Sequence, residues 1–296
     1  MVTSAENSMR KPPWLKVRLA HGAGFARMKG IVHGGELHTV CEEALCPNMG
    51  RCWEMGRATI MILGDKCTRA CRFCNVRAES HGVHDPDEPA RVAEAIRKMG
   101  LTDVVITSVT RDDLVDGGAG VWAETIRRTR EIVPGILMEI LVPDFGGSLA
   151  ALETVLAAEP DVLGHNLETV PSLYSTVRPQ ADYHRSIELL RRAHDRGSIV
   201  KTGIMVGLGE TAQEVAGLMH DAVAAGCEIF TIGQYLQPTR QHLSITRYVT
   251  PEEFDAYKRR GLELGFKVVV SAPLVRSSYY SEEQAEFLKR RLKGEP

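Results

Sequence analysis

From residue 58 onward, short apolar runs rich in β-branched residues alternate with longer stretches whose apolar residues recur every three or four positions. The runs fall at 58–63, 103–108, 136–142, 161–164, 199–206, 228–232 and 267–270. Runs this short and this apolar predict strands buried on both faces. The stretches between them carry helical stripes, such as Val92, Ile96 and Met99, or Ile187, Leu190 and His194. Thr211 with Glu214, and Thr250 with Glu253 around Pro251, predict capped helix starts. Gly100, Gly197, Gly226 and Gly265 stand where helices end before the next strand. This alternation predicts an α/β fold of βα units around a parallel sheet. Six or seven such units predict a TIM-like barrel or partial barrel rather than a small doubly wound sheet, and since they share no sequence motif they are not a solenoid repeat. Chemistry on such barrels sits on loops at the C-terminal ends of the strands. Polar clusters fall there, at 108–113, 143–145, 166–168 and 207–210. Periodicity is weak before residue 58, so the chain divides into an N-terminal extension (1–57), a barrel (58–270) and a C-terminal extension (271–296).

Composition adds mostly exclusions. With 44% hydrophobic and 25% charged residues the chain can bury a full core, and its net charge of −2 provides no footprint for nucleic acid or an anionic membrane. The first twenty residues hold no secretory-type apolar segment and are too short for a mitochondrial or plastid presequence. No run of 18 apolar residues occurs anywhere. The expectation is a cytosolic protein without membrane or nucleic-acid partners.

The cysteines change the picture. Seven occur, and six of them lie between Cys41 and Cys74, with Cys227 alone in an apolar context that predicts a core thiol. Clustered thiols in a reducing compartment point to metal or redox chemistry rather than disulfides. Cys67, Cys71 and Cys74 read C-x3-C-x2-C, directly after the first predicted strand. Three thiolates hold three irons of a cubane and leave the fourth open, whereas four close a structural site. The competing reading is a zinc site completed by a distant histidine, which the placement after the first strand of a βα series disfavours. The spacing resembles the radical S-adenosylmethionine (SAM) superfamily, in which the open iron chelates SAM, and Phe73 matches the aromatic residue before its last cysteine.

Cys41, Cys46 and Cys52 form a second triad, C-x4-C-x5-C, with Pro47 and Gly50 predicting a tight loop around a metal. Two triads imply two clusters. The stretch 41–54 (CEEALCPNMGRCWE) followed by 67–74 (CTRACRFC) resembles the lipoyl synthase family. So do 104–119, PDFGG at 143–147, HNLETV at 165–170, RPQADYHRS at 178–186, TGIMVGLGET at 202–211, TIGQYLQP at 231–238 and PLVRSSY at 273–279. Asn75, Gly164 and Tyr280-Ser281 depart from the family pattern without touching an expected iron ligand.

The resemblance implies a partial (β/α)6 TIM-like barrel of radical SAM type with N- and C-terminal extensions. It implies SAM and two [4Fe–4S] clusters: one on Cys67, Cys71 and Cys74, the other an auxiliary cluster on Cys41, Cys46, Cys52 and a serine. By position the serine is Ser278, with Ser277 the second choice. The implied reaction inserts two sulfur atoms, taken from the auxiliary cluster, at C6 and C8 of an octanoyl chain on a lysine of a lipoyl carrier domain. The implied partners are such domains on 2-oxoacid dehydrogenase E2 subunits or the glycine cleavage H protein. An electron donor such as ferredoxin or flavodoxin and an iron–sulfur cluster carrier join them. Gly203, Gly207 and Glu210, with Met205 between, resemble the superfamily's adenine-side GxIxGxxE stretch. Asn166, Glu168 and Arg178 are candidates for SAM's ribose or carboxylate; local caps and ion pairs are their alternative roles. Asp112 and Asp113 are candidate caps for the helix that follows. A methylthiotransferase or biotin-synthase-like enzyme would lack the first triad and the RSSY segment. A cluster carrier or zinc scaffold would leave the loops at 107–113 and 165–170 without purpose.

Overall fold

The structure is a computed structural model that describes residues 10–17, 22–279 and 281–293. Residues 1–9 and 18–21 of the N-terminal extension, and Tyr280 and 294–296 of the C-terminal one, lie outside the described residues. Seven parallel strands follow in chain order: β1 (Thr59–Ile62), β2 (Asp103–Ser108), β3 (Leu137–Leu141), β4 (Val162–Gly164), β5 (Ile199–Val206), β6 (Ile229–Gln234) and β7 (Val268–Ser271). A two-residue strand, His38–Thr39, adds antiparallel to β1 and forms one edge, and β7 forms the other. No ladder joins the two edges among the described residues, so the barrel is partial. Its edges nonetheless face each other: Thr59 of β1, Val105 of β2 and Val270 of β7 line one cavity.

The strands match the predicted runs, two of them residue for residue, because each run is mostly apolar and buried on both faces. What the runs left open is which face is which. Met138 and Ile140 of β3, Val200 and Ile204 of β5, and Phe230 and Ile232 of β6 face the outer helices and join the main core. Those helices include α1 (Ala23–Gly34), α2 (Glu88–Met99), α3 (Ala119–Ile132), α4 (Leu149–Leu156), α5 (Tyr183–Asp195), α6 (Ala212–Ala224) and α7 (Pro251–Leu264). Both predicted capping boxes form, on α6 and α7. The stripe assigned to α5 needs correction. His194 is exposed and Ile187 half-buried, and the buried face runs through Tyr183, Ser186, Leu189, Leu190 and Ala193.

The opposite, inward positions stack in layers along the barrel. At the N-terminal ends of the strands Val162, Ile199, Ile229 and Val268 form a small apolar core with Leu288 of a C-terminal helix, α8 (Glu282–Leu292). One layer up, Lys201 Nζ pairs with Glu139 Oε1 at 2.6 Å, and both bond Gln284 of α8, at 3.0 and 2.6 Å. α8 therefore plugs the bottom of the barrel; one cavity occupies the top, and the one between the edges is lined partly by α8's own Glu282, Glu283 and Ala285.

Candidate active site: two cysteine triads in adjoining cavities

The loop after β1 is set at its root by a buried carboxylate. Leu63, with a positive φ of 68°, and Gly64 donate their N–H groups to Glu88 at 2.7 and 3.1 Å. Lys66–Cys67 then pairs with Arg77–Ala78, closing the base of the cysteine loop. Within it, Cys67 Sγ accepts from the N–H groups of Arg69 and Thr110, each at 3.4 Å. His242 Nε2 donates to the Cys74 carbonyl at 2.9 Å. Arg69 is buried and forks onto both oxygens of Asp112 (2.7 and 2.9 Å) while reaching Asp144 at 2.6 Å. Burial works to raise the Asp144 pKa, but the bond and charge of Arg69 outweigh it and hold the carboxyl at about 2. The cysteine loop is thus clamped to the loops after β2 and β3. Asp113 pairs with Arg111, so neither Asp112 nor Asp113 caps α3; Asp116 accepts from Gly118 and Gly120 there instead.

Cys67, Cys71, Cys74 and Phe73 line a cavity of about 450 Å³ with His165, Asn166, Glu168 and Arg178. Burial raises the Cys71 thiol pKa against the opposing charge of Arg178, and pushes that of Cys74 up to about 12. Such thiols keep their protons until a metal displaces them. Glu168 holds a positive φ of 65° because it bridges to β5, its N–H donating to Gly203 O at 3.0 Å and its carbonyl accepting from Met205 at 2.9 Å. Asn166 donates to its carboxylate at 3.0 Å. Arg178 Nη1 is spent on the carbonyls of Asn166 and Leu167, but its Nε is buried without a partner. His165 donates from Nδ1 to Val142 O at 2.8 Å and meets Ser186 at Nε2; burial and then Arg178 lower its pKa to about 4, so it is neutral.

The first triad is built by chain folding back on itself. Thr39 caps the short helix that carries Cys41, Cys46 N bonds Cys41 O at 3.0 Å, and Cys52 lies on the helix Met49–Glu54. All three line a second cavity, of about 670 Å³, with Ser278. Burial raises Cys52 and pushes Cys41 up to about 11. Asn48 Nδ2 donates to Leu274 O at 2.7 Å, stitching this loop to the C-terminal segment. Ser277 lines the other cavity, and Arg276 lines both.

The structure thus brings the second triad together with Phe73, Asn166, Glu168 and Arg178, and the first triad together with Ser278. It does not bring Gly207 or Glu210 to either wall. Glu210 accepts from Gly207 and Leu208 at 2.6 and 2.9 Å, and a Cβ on Gly207 would lie 2.2 Å from Gln234 Nε2. Gly203 and Met205 do line the smaller cavity. Cys227 is a core thiol, its pKa raised by burial. Sequence reasoning missed Arg69, Asp144, His165 and Arg276. Each lay in a stretch that carried a local hint: Arg69 inside the cysteine motif, Asp144 in the polar cluster 143–145, His165 at the head of HNLETV, and Arg276 beside the serines. Among the described residues no three His, Cys, Asp or Glu side chains converge on one ion position. Thiolates that each bind a different iron of a cubane need no such convergence. The chemistry of the donors fits iron–sulfur clusters: three thiols per cavity, with the unpartnered Arg178 Nε available to a polar ligand.

A model of the radical SAM superfamily matches residues 61–222, and one of the N-terminal domain of lipoyl synthase matches residues 1–46. A lipoyl synthase of Rubrobacter xylanophilus is 54% identical over 95% of this chain and 88% of its own length. That of Chlorobaculum tepidum is 50% identical over 92% and 95%. This chain belongs to the lipoyl synthase family. As a radical SAM family, lipoyl synthases imply a [4Fe–4S] cluster and SAM. Solved structures share the fold alone. Streptococcus suis SuiB bound to S-adenosylmethionine superposes with a TM-score of 0.56 at 11% identity, over 77% of this chain and 54% of that one. The chain therefore spans about half of SuiB. HydG from Carboxydothermus hydrogenoformans gives 0.54 at 15% identity, over 90% and 77%. Among the described residues no helix is long and apolar enough to cross a membrane.

Proposed function

We propose that the chain inserts two sulfur atoms at C6 and C8 of an octanoyl group carried on a lysine of a lipoyl carrier domain. The observation that carries this reading is the pair of adjoining cavities, each with its own cysteine triad, one of them lined as well by Ser278 from the C-terminal extension. Cys67, Cys71 and Cys74 would hold the SAM-binding [4Fe–4S] cluster. When bound, that cluster and SAM supply one-electron reduction and hydrogen abstraction from an unactivated C–H bond. Around them, Arg178 Nε, Asn166 and Glu168 are placed to receive the polar groups of SAM. Phe73, Met205 and Leu141 give the same cavity an apolar wall that excludes water from the reacting carbon.

The cluster on Cys41, Cys46, Cys52 and Ser278 is the sulfur-donating substrate. An alkoxide is a hard ligand with high proton affinity and leaves iron more readily than a thiolate, which gives a cluster due for dismantling one labile corner. In this reading the extensions 1–57 and 271–296 supply the ligands of the donor cavity, against a wall of barrel residues, and the barrel 58–270 supplies the ligands of the other. The protein partners are octanoylated carrier domains of E2 subunits or H protein, an electron donor of ferredoxin or flavodoxin type, and a carrier that restores the spent cluster.

Anaerobic reconstitution followed by an assay with SAM, reductant and an octanoyl-lysine peptide tests the proposal. Expected are about eight irons per chain, 5′-deoxyadenosine, and a peptide that has gained two sulfurs. A fully loaded chain that yields neither product, or one that purifies with zinc in the triads, refutes it.

A further inference from the structure

We propose that Arg276 positions the sulfur-donating cluster, acting as the counter-charge that holds its sulfide face toward the neighbouring cavity. The inference rests on the reading that Cys41, Cys46 and Cys52 carry such a cluster. Arg276 is the residue at which the two cavities meet, since it lines both, while Ser277 faces one and Ser278 the other. Its guanidinium donates from Nη1 to Val275 O at 2.7 Å and forms no ion pair among the described residues. The buried Arg69 and Arg111 differ, each paired with aspartate.

Arg276 is also held firmly. The segment it belongs to lies so close on β6 that a Cβ at Gly233 would stand 2.1 Å from Val275 O and 3.4 Å from Arg276 Nη1. Gln234 N bonds Pro273 O at 3.2 Å, and Asn48 grips Leu274 from the cysteine loop. A cation locked between two cavities with free planar donors suits an anionic, multi-atom acceptor. Three thiolates and an alkoxide around a dicationic iron–sulfur core form one. Hydrogen bonds and positive charge at cluster sulfurs raise the reduction potential and retain the cluster.

The test uses the full chain carrying Cys67→Ala, Cys71→Ala and Cys74→Ala, reconstituted anaerobically so that only the first triad is loaded. Iron content, reduction potential and the rate of iron loss to a chelator are read with and without Arg276→Gln. The expected result is a more negative potential and iron loss about ten-fold faster, with Arg276→Lys, which keeps the charge, closer to the parent than Gln. Unchanged potential and release rate in Arg276→Gln, or a Lys variant as shifted as Gln, overturns the inference and leaves the cluster assignment standing. A parent chain that takes up no iron refutes the assignment and the inference with it.

Discussion

The six clustered cysteines have one chemistry and two placements. Cys67 accepts backbone N–H groups at the heart of a clamped loop, in the cavity with Arg178, Asn166 and Glu168. Cys41 is buried and lines the other cavity, as does Ser278. The division of labour predicts unequal losses. Cys67→Ala should abolish 5′-deoxyadenosine formation altogether, whereas Cys41→Ala should still cleave SAM but deliver no sulfur to the octanoyl peptide. Chromatography of the nucleoside alongside mass spectrometry of the peptide reads both; equal loss of cleavage in the two variants would sink the assignment. Residues of this kind were legible in the chain because ligand spacing is local. The pairings Arg69–Asp144 and His165–Ser186 were not, since the partners lie 75 and 21 positions apart and nothing local says which residue meets which. Gly207 and Glu210 show the converse, a motif whose residues close their own turn instead of reaching the cavity.

Among the elements, strand positions were readable because each run is mostly apolar, and helix starts because capping boxes are four-residue signals. Orientation was not readable. The inward positions of β3, β5 and β6 include Glu139, Lys201, Gly203 and Gly233, whose burial makes sense only once the barrel curls around them. The loops are tied to one another by polar contacts rather than by apolar packing. Asp144 is buried and ionised because Arg69 faces it at 2.6 Å, with Arg185 a weaker second partner at 3.4 Å, so Arg69→Leu should leave its charge under-compensated beside the cysteine loop. Removing one partner of such a pair costs about 3–5 kcal/mol. Denaturant melts of Arg69→Leu should show that loss, and adding Asp144→Leu should recover a large part of it. A single variant as stable as the parent would show that the clamp does not hold the loop.

On the scale of the whole molecule, described segments of both extensions, with Cys41, Cys46 and Cys52 on one and Ser278 on the other, converge on the donor cavity, and α8 anchors the second of them. The helix is seated in the barrel by Leu288 below and by Gln284 between Lys201 and Glu139 above. Its outer bond, Lys258 to Glu283 at 2.7 Å, is solvent-exposed and contributes little. Gln284→Ala therefore removes the specific part of the latch and leaves Lys201 Nζ and Glu139 Oε2 each short of a partner, at about 1–3 kcal/mol per group. That energy opens α8 rather than the barrel, because seven paired strands do not depend on it. Hydrogen exchange should report protection across Glu282–Leu292 falling by about ten- to a hundred-fold, with β1 to β7 unaffected. Ser278 lies only a few residues before the helix, so iron held by the first triad should be lost to a chelator before iron held by the second. Uniform loss of protection through the sheet, or the opposite order of iron release, would mean that α8 is not what holds Ser278 at the donor cavity.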